Sequence, residues 1–322
     1  MDTEAVFAIA ERTRGPSVLA TLIGVQGHSY RKAGAAMLLT EGGETVGSIG
    51  PGCLEADLSA RAREVWAANR YAIAEYNLRP EEDAVWGEEI GCGGTMRILL
   101  EPLTDELRGA LGEVVRAVRG ERGARLVRRE SGGRIGYEVE PAAPADGRRP
   151  GGGSGADAPL YESLHLPRER LIIFGAGEEA AAVDELARSV GFRTVVADWR
   201  PALCGPERFP SARTIVGDAD AIVAGLNVGA RDFVMLASHH LRRDREMVDR
   251  IVPLEPAYLG IIGSSSRIGR LLEGMVPPPF VKAPIGLPIG AKGAREIAIS
   301  VTAELIACRN RLRASDGEGR GA

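Results

Sequence analysis

The chain has 322 residues, of which 44% are hydrophobic and 26% are charged, so it is long enough to bury a core and to form two domains. Its formal net charge of −4 argues against nucleic acid or an anionic membrane as a partner. No apolar run reaches membrane-spanning length, and the sequence begins Met-Asp-Thr-Glu, without the basic segment of a signal peptide. We therefore expect a cytoplasmic protein.

Periodic patterns in residues 1–140 predict an N-terminal α+β domain. Helices are predicted over residues 2–14, 54–69 and 105–119, and strands or apolar runs over 17–25, 35–39, 44–49, 71–77 and 96–100, with a hairpin formed by 125–129 and 134–140. The following tract is rich in Gly, Pro and Ala and has almost nothing to bury. We expect it to be a flexible linker over residues 141–167, ahead of a second domain at 168–322.

The four cysteines, at positions 53, 92, 204 and 308, have no short paired spacing, which argues against a disulfide framework and against a zinc ribbon. Two of them lie among glycines. Cys53 follows Gly50 and Gly52 and opens the predicted helix 54–69, where unpaired backbone N–H groups and the helix dipole favour the thiolate. The alternative is a tight turn with a buried cysteine. The second such site, with Cys92 and Gly93, favours a functional interpretation.

A basic loop lies between the first two predicted strands. It reads Gly-His-Ser-Tyr-Arg-Lys-Ala-Gly at residues 27–34 and contains Arg31, whose planar guanidinium suits phosphate or carboxylate. The alternative is a solvated loop with no specific ligand. Its place in the same small domain as Cys53 favours anion binding.

The second half begins with a dinucleotide-binding pattern. A predicted strand at 170–174 leads into Gly-x-Gly-x-x-Ala, a helix at 178–190 and a strand at 193–197 that ends at Asp198. In this setting Gly175 permits the turn, Gly177 permits close approach of a pyrophosphate, and Asp198 is placed to bind ribose hydroxyls. Two acids, Glu178 and Glu179, stand where phosphate charge would lie and argue against a tightly held pyrophosphate.

Further strands are predicted at 232–237 and 257–261, each followed by a helical stretch. This alternation predicts a Rossmann-like, doubly wound parallel sheet, whose ligands bind beyond the carboxyl ends of the strands. His239 and the Gly-Ser-Ser-Ser-Arg segment ending at Arg267 fall at such ends. We predict that a nucleotide-like ligand lies toward residues 264–267 rather than against Glu178 and Glu179.

Several segments, in this order, resemble the XdhC/CoxI family over nearly the whole chain. They are the basic loop at 27–34, Gly-Ser-Ile-Gly-Pro-Gly-Cys-Leu-Glu at 47–55, Gly-Cys-Gly-Gly at 91–94, Phe-Gly-Ala-Gly at 174–177, Tyr-Leu-Gly-Ile-Ile-Gly-Ser at 258–264, Pro-Ile-Gly-Leu-Pro-Ile-Gly at 284–290 and Glu-Ile-Ala-Ile-Ser at 296–300. The chain departs from the family pattern at Pro51, where a glycine is frequent, and at Glu178, where a histidine is frequent.

The resemblance implies an accessory chaperone, without turnover of its own, that binds molybdenum cofactor, supports its sulfuration and inserts it into a molybdenum hydroxylase of the xanthine dehydrogenase or carbon monoxide dehydrogenase type. The implied partners are the hydroxylase apoenzyme and a cysteine desulfurase, and we expect a homodimer. Cys53 and Cys92 are the expected ligands of the metal or carriers of persulfide sulfur. The expected cofactor-binding residues are Arg31, Gly50, Gly52, Cys53, Glu55, Cys92, Gly93, Gly175, Gly177, Asp198, His239 and Arg267.

Two other functions remain open from the sequence. One is an NAD(P)-dependent oxidoreductase, which rests on Gly175, Gly177 and Asp198 alone, and a Rossmann crevice does not by itself establish hydride transfer. The other is a non-catalytic protein that docks on a hydroxylase without binding cofactor.

Overall fold

The computed structural model describes residues 3–27, 29, 31–78, 94–142 and 158–315. The chain divides into two compact units, Met1–Pro167 with Arg313–Ala322 and Arg168–Leu312. Each unit has its own sheets and its own buried apolar clusters, and each is described by itself.

The first unit contains three helices and eight strands among the residues described. They are α1 (Thr3–Arg12), β1 (Ser17–Gln26), β2 (Ala36–Thr40), β3 (Thr45–Gly47), α2 (Gly52–Ala68), β4 (Ala72–Asn77), β5 (Thr95–Pro102), α3 (Asp105–Arg119), β6 (Gly123–Ser131), β7 (Arg134–Ala142) and β8 (Tyr161–His165). The predicted helices and strands of this half are confirmed, with ends that differ by a few residues.

A five-stranded antiparallel sheet in the order β3-β2-β1-β5-β4 is the central layer of the first unit. Side chains of β1 alternate between its two faces: Val18 and Ala20 pack in the same cluster as α2, whereas Leu19 packs in the cluster of α1 and α3. This period of two explains why β1 reads as a continuous apolar run, since both of its faces are covered.

A second sheet of the first unit has three antiparallel strands in the order β7-β6-β8. Strands β6 and β7 form the predicted hairpin. Strand β8 was not predicted, and it lies inside the range 141–167 that was expected to be linker. Its only buried residue is the polar Ser163, so hydrophobic periodicity gives no signal for this strand. Residues 143–157 of the predicted linker lie outside the described residues.

The second unit alternates strands and helices. Its elements are β9 (Arg170–Phe174), α4 (Glu178–Ser189), β10 (Arg193–Asp198), β11 (Arg213–Val216), α5 (Ala219–Leu226), β12 (Phe233–Leu236), α6 (Leu241–Ile251), β13 (Tyr258–Ile261), α7 (Ser265–Leu271), β14 (Val281–Lys282) and α8 (Gly293–Ser315).

These six strands form one parallel sheet in the order β11-β10-β9-β12-β13-β14. Counted along the chain this order is 3-2-1-4-5-6, that of the doubly wound dinucleotide-binding fold. Helices α4 and α8 pack on one face, and α5, α6 and α7 pack on the other. The predicted α/β class with a Rossmann-like parallel sheet is confirmed. Its topological switch point lies between β9 and β12, where ligands bind in such sheets.

Candidate functional site

Three strand ends that border predicted site residues lie at one end of the five-stranded sheet of the first unit. Strand β1 ends at Gln26, which pairs with Thr95 at the start of β5. Strand β3 ends at Gly47, which pairs with Met37 near the start of β2. The end of β1 at Gln26, the end of β3 at Gly47 and the start of β5 at Thr95 therefore lie at one end of the sheet.

The stretch after β3 contains three glycines, at positions 47, 50 and 52, and the fold requires a glycine only at position 47. Gly47 has φ +90°, and a Cβ there would lie 2.5 Å from the carbonyl oxygen of Ala36. Gly50 and Gly52 have no positive φ; a Cβ on Gly52 would meet nothing within 4 Å, and one on Gly50 would meet only the side chain of Leu54, at 3.4 Å or more. No described residue requires Gly50 or Gly52 to lack a side chain, so their backbone is open to close approach from outside.

Helix α2 begins directly after this turn without a side-chain cap. Its N-cap residue is Pro51, which has no side-chain acceptor, and the N–H of Glu55 donates to the Pro51 carbonyl at 3.2 Å. Cys53 lies in the first turn of α2 and is exposed. The positive end of the helix dipole and its first N–H groups therefore adjoin an accessible thiol.

Glu55 is used by the turn itself. Its Oε1 accepts a hydrogen bond from Ser48 Oγ at 2.7 Å and one from the Ile49 N–H at 3.2 Å. The sequence suggested Glu55 as a cofactor-binding residue, whereas in the structure its carboxylate fixes the path of the chain between β3 and α2.

The loop after β1 is tied to the rest of the first unit near its end. The Gly34 N–H donates to the Leu22 carbonyl at 2.8 Å, and Thr3 Oγ1 donates to the Gly34 carbonyl at 3.0 Å. Arg31 lies half-buried in this loop. Cys92 and Gly93 lie outside the described residues, as do His28 and Tyr30.

In the second unit, the backbone of the glycine turn packs tightly at the switch point. Gly175 has φ +105°, and a Cβ on it would lie 2.4 Å from the Cα of Ser238. The turn after β9 and the chain after β12 are thus in direct contact, and only glycine fits at position 175. Gly177 is the N-cap of α4 and has an ordinary negative φ.

Asp198 is fully buried and already has hydrogen-bond donors around it. One carboxylate oxygen accepts from the N–H of Ala176 at 2.7 Å, and the side chain and the N–H of Arg200 donate to the carboxylate at 2.8 to 2.9 Å. These bonds hold the pKa of Asp198 below its usual value despite the opposing effect of burial. Asp198 thereby joins the end of β10 to the glycine turn instead of presenting a free carboxylate.

A histidine and a glutamate face each other across the switch point. His239 Nε2 lies 3.4 Å from Glu179 Oε2, with the side chains half and one-quarter exposed. His239 has φ +58°, an uncommon conformation for a residue with a side chain. Glu178 adjoins this pair in the first turn of α4.

Arg267 is bound within the second unit. Its Nη2 donates to Asp244 in a short contact, and its Nη1 donates to the carbonyl oxygen of His239 at 3.3 Å. Asp244 is fully buried and also accepts a hydrogen bond from Ser238 Oγ. The predicted role of Arg267 as a phosphate receptor competes with these bonds.

Asp244 and Arg200 were not predicted as site residues. They carry no motif, and each acts only through a partner that folding brings close. The visible signals near them were the two acids at 178–179 and His239 at the end of a predicted strand. Within the described part of the chain, no three His, Cys, Asp or Glu side chains form a group that could hold a metal ion.

The searched helices, all within the described ranges, include none that is both long and apolar enough to cross a membrane.

Comparison with known proteins decides the family. Residues 171–305 match the XdhC Rossmann domain, and residues 10–77 match the XdhC and CoxI family. A protein of Bacillus subtilis named as a probable component of xanthine dehydrogenase is 32% identical over 318 residues, which is 92% of this chain and 94% of that protein. This chain belongs to the XdhC and CoxI family.

Two further family relatives cover most of the chain. The molybdenum cofactor insertion chaperone PaoD of Escherichia coli is 27% identical over 318 residues, covering 94% of this chain and 87% of PaoD. A crystal structure of a xanthine dehydrogenase from Bacillus halodurans is 35% identical, with a TM-score of 0.85 over 97% of this chain and 96% of that one.

Proposed function

We propose that this protein binds the molybdenum cofactor and delivers it to the apoenzyme of a molybdenum hydroxylase. One relative is named a molybdenum cofactor insertion chaperone, and two others are named for xanthine dehydrogenase. The structural observation that carries the proposal is the exposed thiol of Cys53 at an uncapped helix N-terminus, beside two glycines that no described neighbour requires.

The residues at this end of the first unit suit the cofactor as cargo. Its phosphate is an anion that matches the first N–H groups of α2 and the guanidinium of Arg31. Gly50 and Gly52 leave the backbone open, so the phosphate meets N–H groups rather than side chains. The molybdenum centre, held by sulfur, is a soft partner for thiolate ligands.

The cysteines are assigned to the metal end of the cofactor. We assign Cys53 and Cys92 to the molybdenum–sulfur centre, and Gly93, which follows Cys92 in the sequence, to cofactor contact. A persulfide on a cysteine desulfurase passes its outer sulfur to one of the two thiols and is left as a thiol itself, so the accepting cysteine would hold the sulfur as a persulfide. Glu55 supports the site by fixing the turn before α2.

The second unit contributes the carboxyl ends of the central strands of its parallel sheet. We assign His239 and the glycine turn of Gly175 and Gly177 to cofactor contact, because they lie at the switch point where such sheets bind ligands. We assign Asp198 and Arg267 to holding these strand ends in place. Asp198 binds Ala176 and Arg200, and Arg267 binds Asp244 and His239.

Retention of released molybdenum cofactor by the purified, full-length protein tests the proposal. Wild-type protein is expected to retain pterin and molybdenum through a desalting column, and Cys53→Ala and Cys92→Ala to retain much less. Cys308→Ala is the matched control, since it removes a half-buried thiol of the second unit. No retention by the wild type would refute the function, and equal retention by all variants would refute the site.

An NAD(P)-dependent oxidoreductase is the second candidate. It is favoured by the strand order of the parallel sheet and by the tight turn at Gly175. Against it stand the engaged carboxylate of Asp198 and the acids Glu178 and Glu179 beside the expected pyrophosphate position. Hydride transfer also requires a substrate site, for which these residues supply no argument.

A further inference from the structure

The chain after β12 is anchored on both sides of residue 239. Ser238 packs against Gly175, donates through its hydroxyl to Asp244 and accepts the N–H of His240 at 3.1 Å. His240 caps α6, because its Nδ1 accepts the N–H of Arg243 at 3.3 Å. These contacts fix the backbone before and after His239.

A buried ion pair between Asp244 and Arg267 holds the backbone of His239. Asp244 has no exposed surface, and Arg267 bridges its carboxylate to the carbonyl oxygen of His239. Removing one partner of such a pair leaves a buried charge without compensation, so Asp244 and Arg267 depend on each other. The direction of the His239 carbonyl is therefore set by the Arg267 side chain, which Asp244 in turn holds in place.

The imidazole of His239 takes no part in this anchoring. It is half exposed and approaches Glu179 Oε2 at 3.4 Å over the switch point. The residue bears φ +58°, which is unfavourable for a side-chain-bearing residue and easy for glycine. A position that needs only the backbone turn would be served better by glycine, so the presence of an imidazole points to a use for the ring.

We propose that Asp244 and Arg267 are positioning residues for His239, holding its backbone in the left-handed conformation so that the imidazole projects over the switch point toward Glu179. The inference deepens the proposed function, since it rests on the assignment of His239 to cofactor contact. It gives Arg267 a role other than the phosphate binding that the sequence suggested.

The backbone of His239 provides a test that does not depend on cofactor. NMR couplings and the Cα shift that report φ are measured in wild-type protein and in Arg267→Ala, Asp244→Asn and Arg270→Ala variants. Asp244→Asn keeps the shape of the side chain and removes its charge, and Arg270→Ala removes an exposed arginine of the same helix.

We expect the first two variants to lose the left-handed φ and to react several-fold faster at His239 with diethyl pyrocarbonate, while Arg270→Ala behaves as wild type. Arg267→Lys keeps one of the two hydrogen bonds, so the φ and the reactivity of His239 should lie between those of wild type and Arg267→Ala. An unchanged positive φ and unchanged reactivity in both Arg267→Ala and Asp244→Asn would overturn the proposal.

Cofactor affinity gives the second test, with molybdenum cofactor released from a purified molybdenum enzyme as the probe. His239→Asn removes the imidazole, and Asn tolerates the left-handed conformation. If Arg267 acts through His239, each single variant should bind about tenfold more weakly, and the double variant no more weakly than His239→Asn. Losses that multiply in the double variant would show that Arg267 contacts the cofactor itself. If the wild type retains no cofactor, the proposed function fails, and the backbone test still decides the role of Asp244 and Arg267.

Discussion

Two glycines after β3 differ in what requires them: the fold requires Gly47, whereas Gly52 is available for a ligand. Gly47 has a positive φ, and its missing Cβ makes room for the Ala36 carbonyl. Gly52 stands in the first turn of α2 with open space around it, where glycine costs helix stability relative to alanine. The first glycine serves the fold, and the second has no role in the packing that the described residues provide.

A pair of alanine substitutions tests this distinction. Gly47→Ala should destabilise the protein by several kcal/mol, because the left-handed conformation costs about 1–2 kcal/mol and the contact at 2.5 Å adds to it. Gly52→Ala should leave the thermal midpoint unchanged or raise it, and should lower cofactor retention because the methyl group obstructs the N–H groups. Full retention by Gly52→Ala would contradict the proposed backbone contact.

A histidine packed within the first unit makes stability depend on pH. His165 lies on β8, where Ser163 Oγ is 2.8 Å from its Nε2 and the Phe7 ring is 5.1 Å away. Burial, with a smaller effect of the Arg128 charge, lowers its pKa from 6.5 to about 3. The folded protein therefore keeps this ring neutral over a range in which the unfolded chain binds a proton.

The expected result is a loss of stability as the pH falls from 6.5 toward 3, by up to about 1.4 kcal/mol per pH unit from this residue. Well above pH 6.5 this loss is absent, because neither state is then protonated at His165. Urea unfolding at pH 7.0 and 5.5 measures it, and His165→Gln should flatten the difference. A variant with the same pH dependence as wild type would exclude His165 as the source.

At the scale of elements, local signals predicted much of the fold. The helix at Asp105–Arg119 and the strand at Arg170–Phe174 were predicted to the residue, because each combines a clear apolar period with a marked start. The elements β8, β11 and β14 were missed. These strands are short, and Ser163 is the only buried residue among them, so their pairing partners rather than their own sequences define them.

The site was predictable only where a motif is local. The Gly-Pro-Gly-Cys turn and the Gly-Ala-Gly turn lie within single stretches of chain, and both were found in the expected strand-to-helix setting. Other contacts form only when folding brings separate segments together. Asp198 accepts hydrogen bonds from Ala176 and Arg200, and Asp244 accepts one from Arg267. Sequence spacing gives no measure of such contacts.

Helix α4 provides the prediction that separates a chaperone from an oxidoreductase. Glu178 and Glu179 occupy its first turn, where the N–H groups would otherwise meet pyrophosphate, so wild-type protein should bind NAD(H) and NADP(H) weakly. The double variant Glu178→Gln, Glu179→Gln should bind them about tenfold more tightly, at roughly 0.3–1 kcal/mol for each charge removed.

Fluorescence titration at fixed salt measures these affinities, and Glu185→Gln, an exposed position later in the same helix, is the control. Tight binding of NAD(H) by the wild type, together with a substrate-dependent absorbance change at the nicotinamide, would support the oxidoreductase and count against cofactor delivery.

At the scale of the whole molecule, the relatives extend the comparison beyond the separate sites. The Bacillus halodurans structure matches 97% of this chain, so both units have counterparts in one solved protein. The chain carries two separate sets of candidate binding residues, one in the antiparallel-sheet unit and one in the parallel-sheet unit.

Delivery of the cofactor from the loaded protein to an apo-hydroxylase can be measured directly. A chaperone without turnover gives up its cargo once, so activity recovered by an apo-hydroxylase should rise in proportion to the loaded protein added and should stop when the cargo is exhausted. Protein purified from a host that makes the cofactor is mixed with cofactor-free hydroxylase, and the activity is measured against the pterin and molybdenum supplied. Cys53→Ala should deliver little, because it carries little, whereas Cys308→Ala should match the wild type.

An equal amount of free cofactor serves as the reference for delivery. The loaded protein should exceed it, because docking on the apoenzyme brings the bound cargo to its destination at a high effective concentration. Activation by protein that carries no cofactor, or activation that continues after the supplied molybdenum is consumed, would exclude stoichiometric delivery and favour the alternative in which the chain acts only by docking on the hydroxylase.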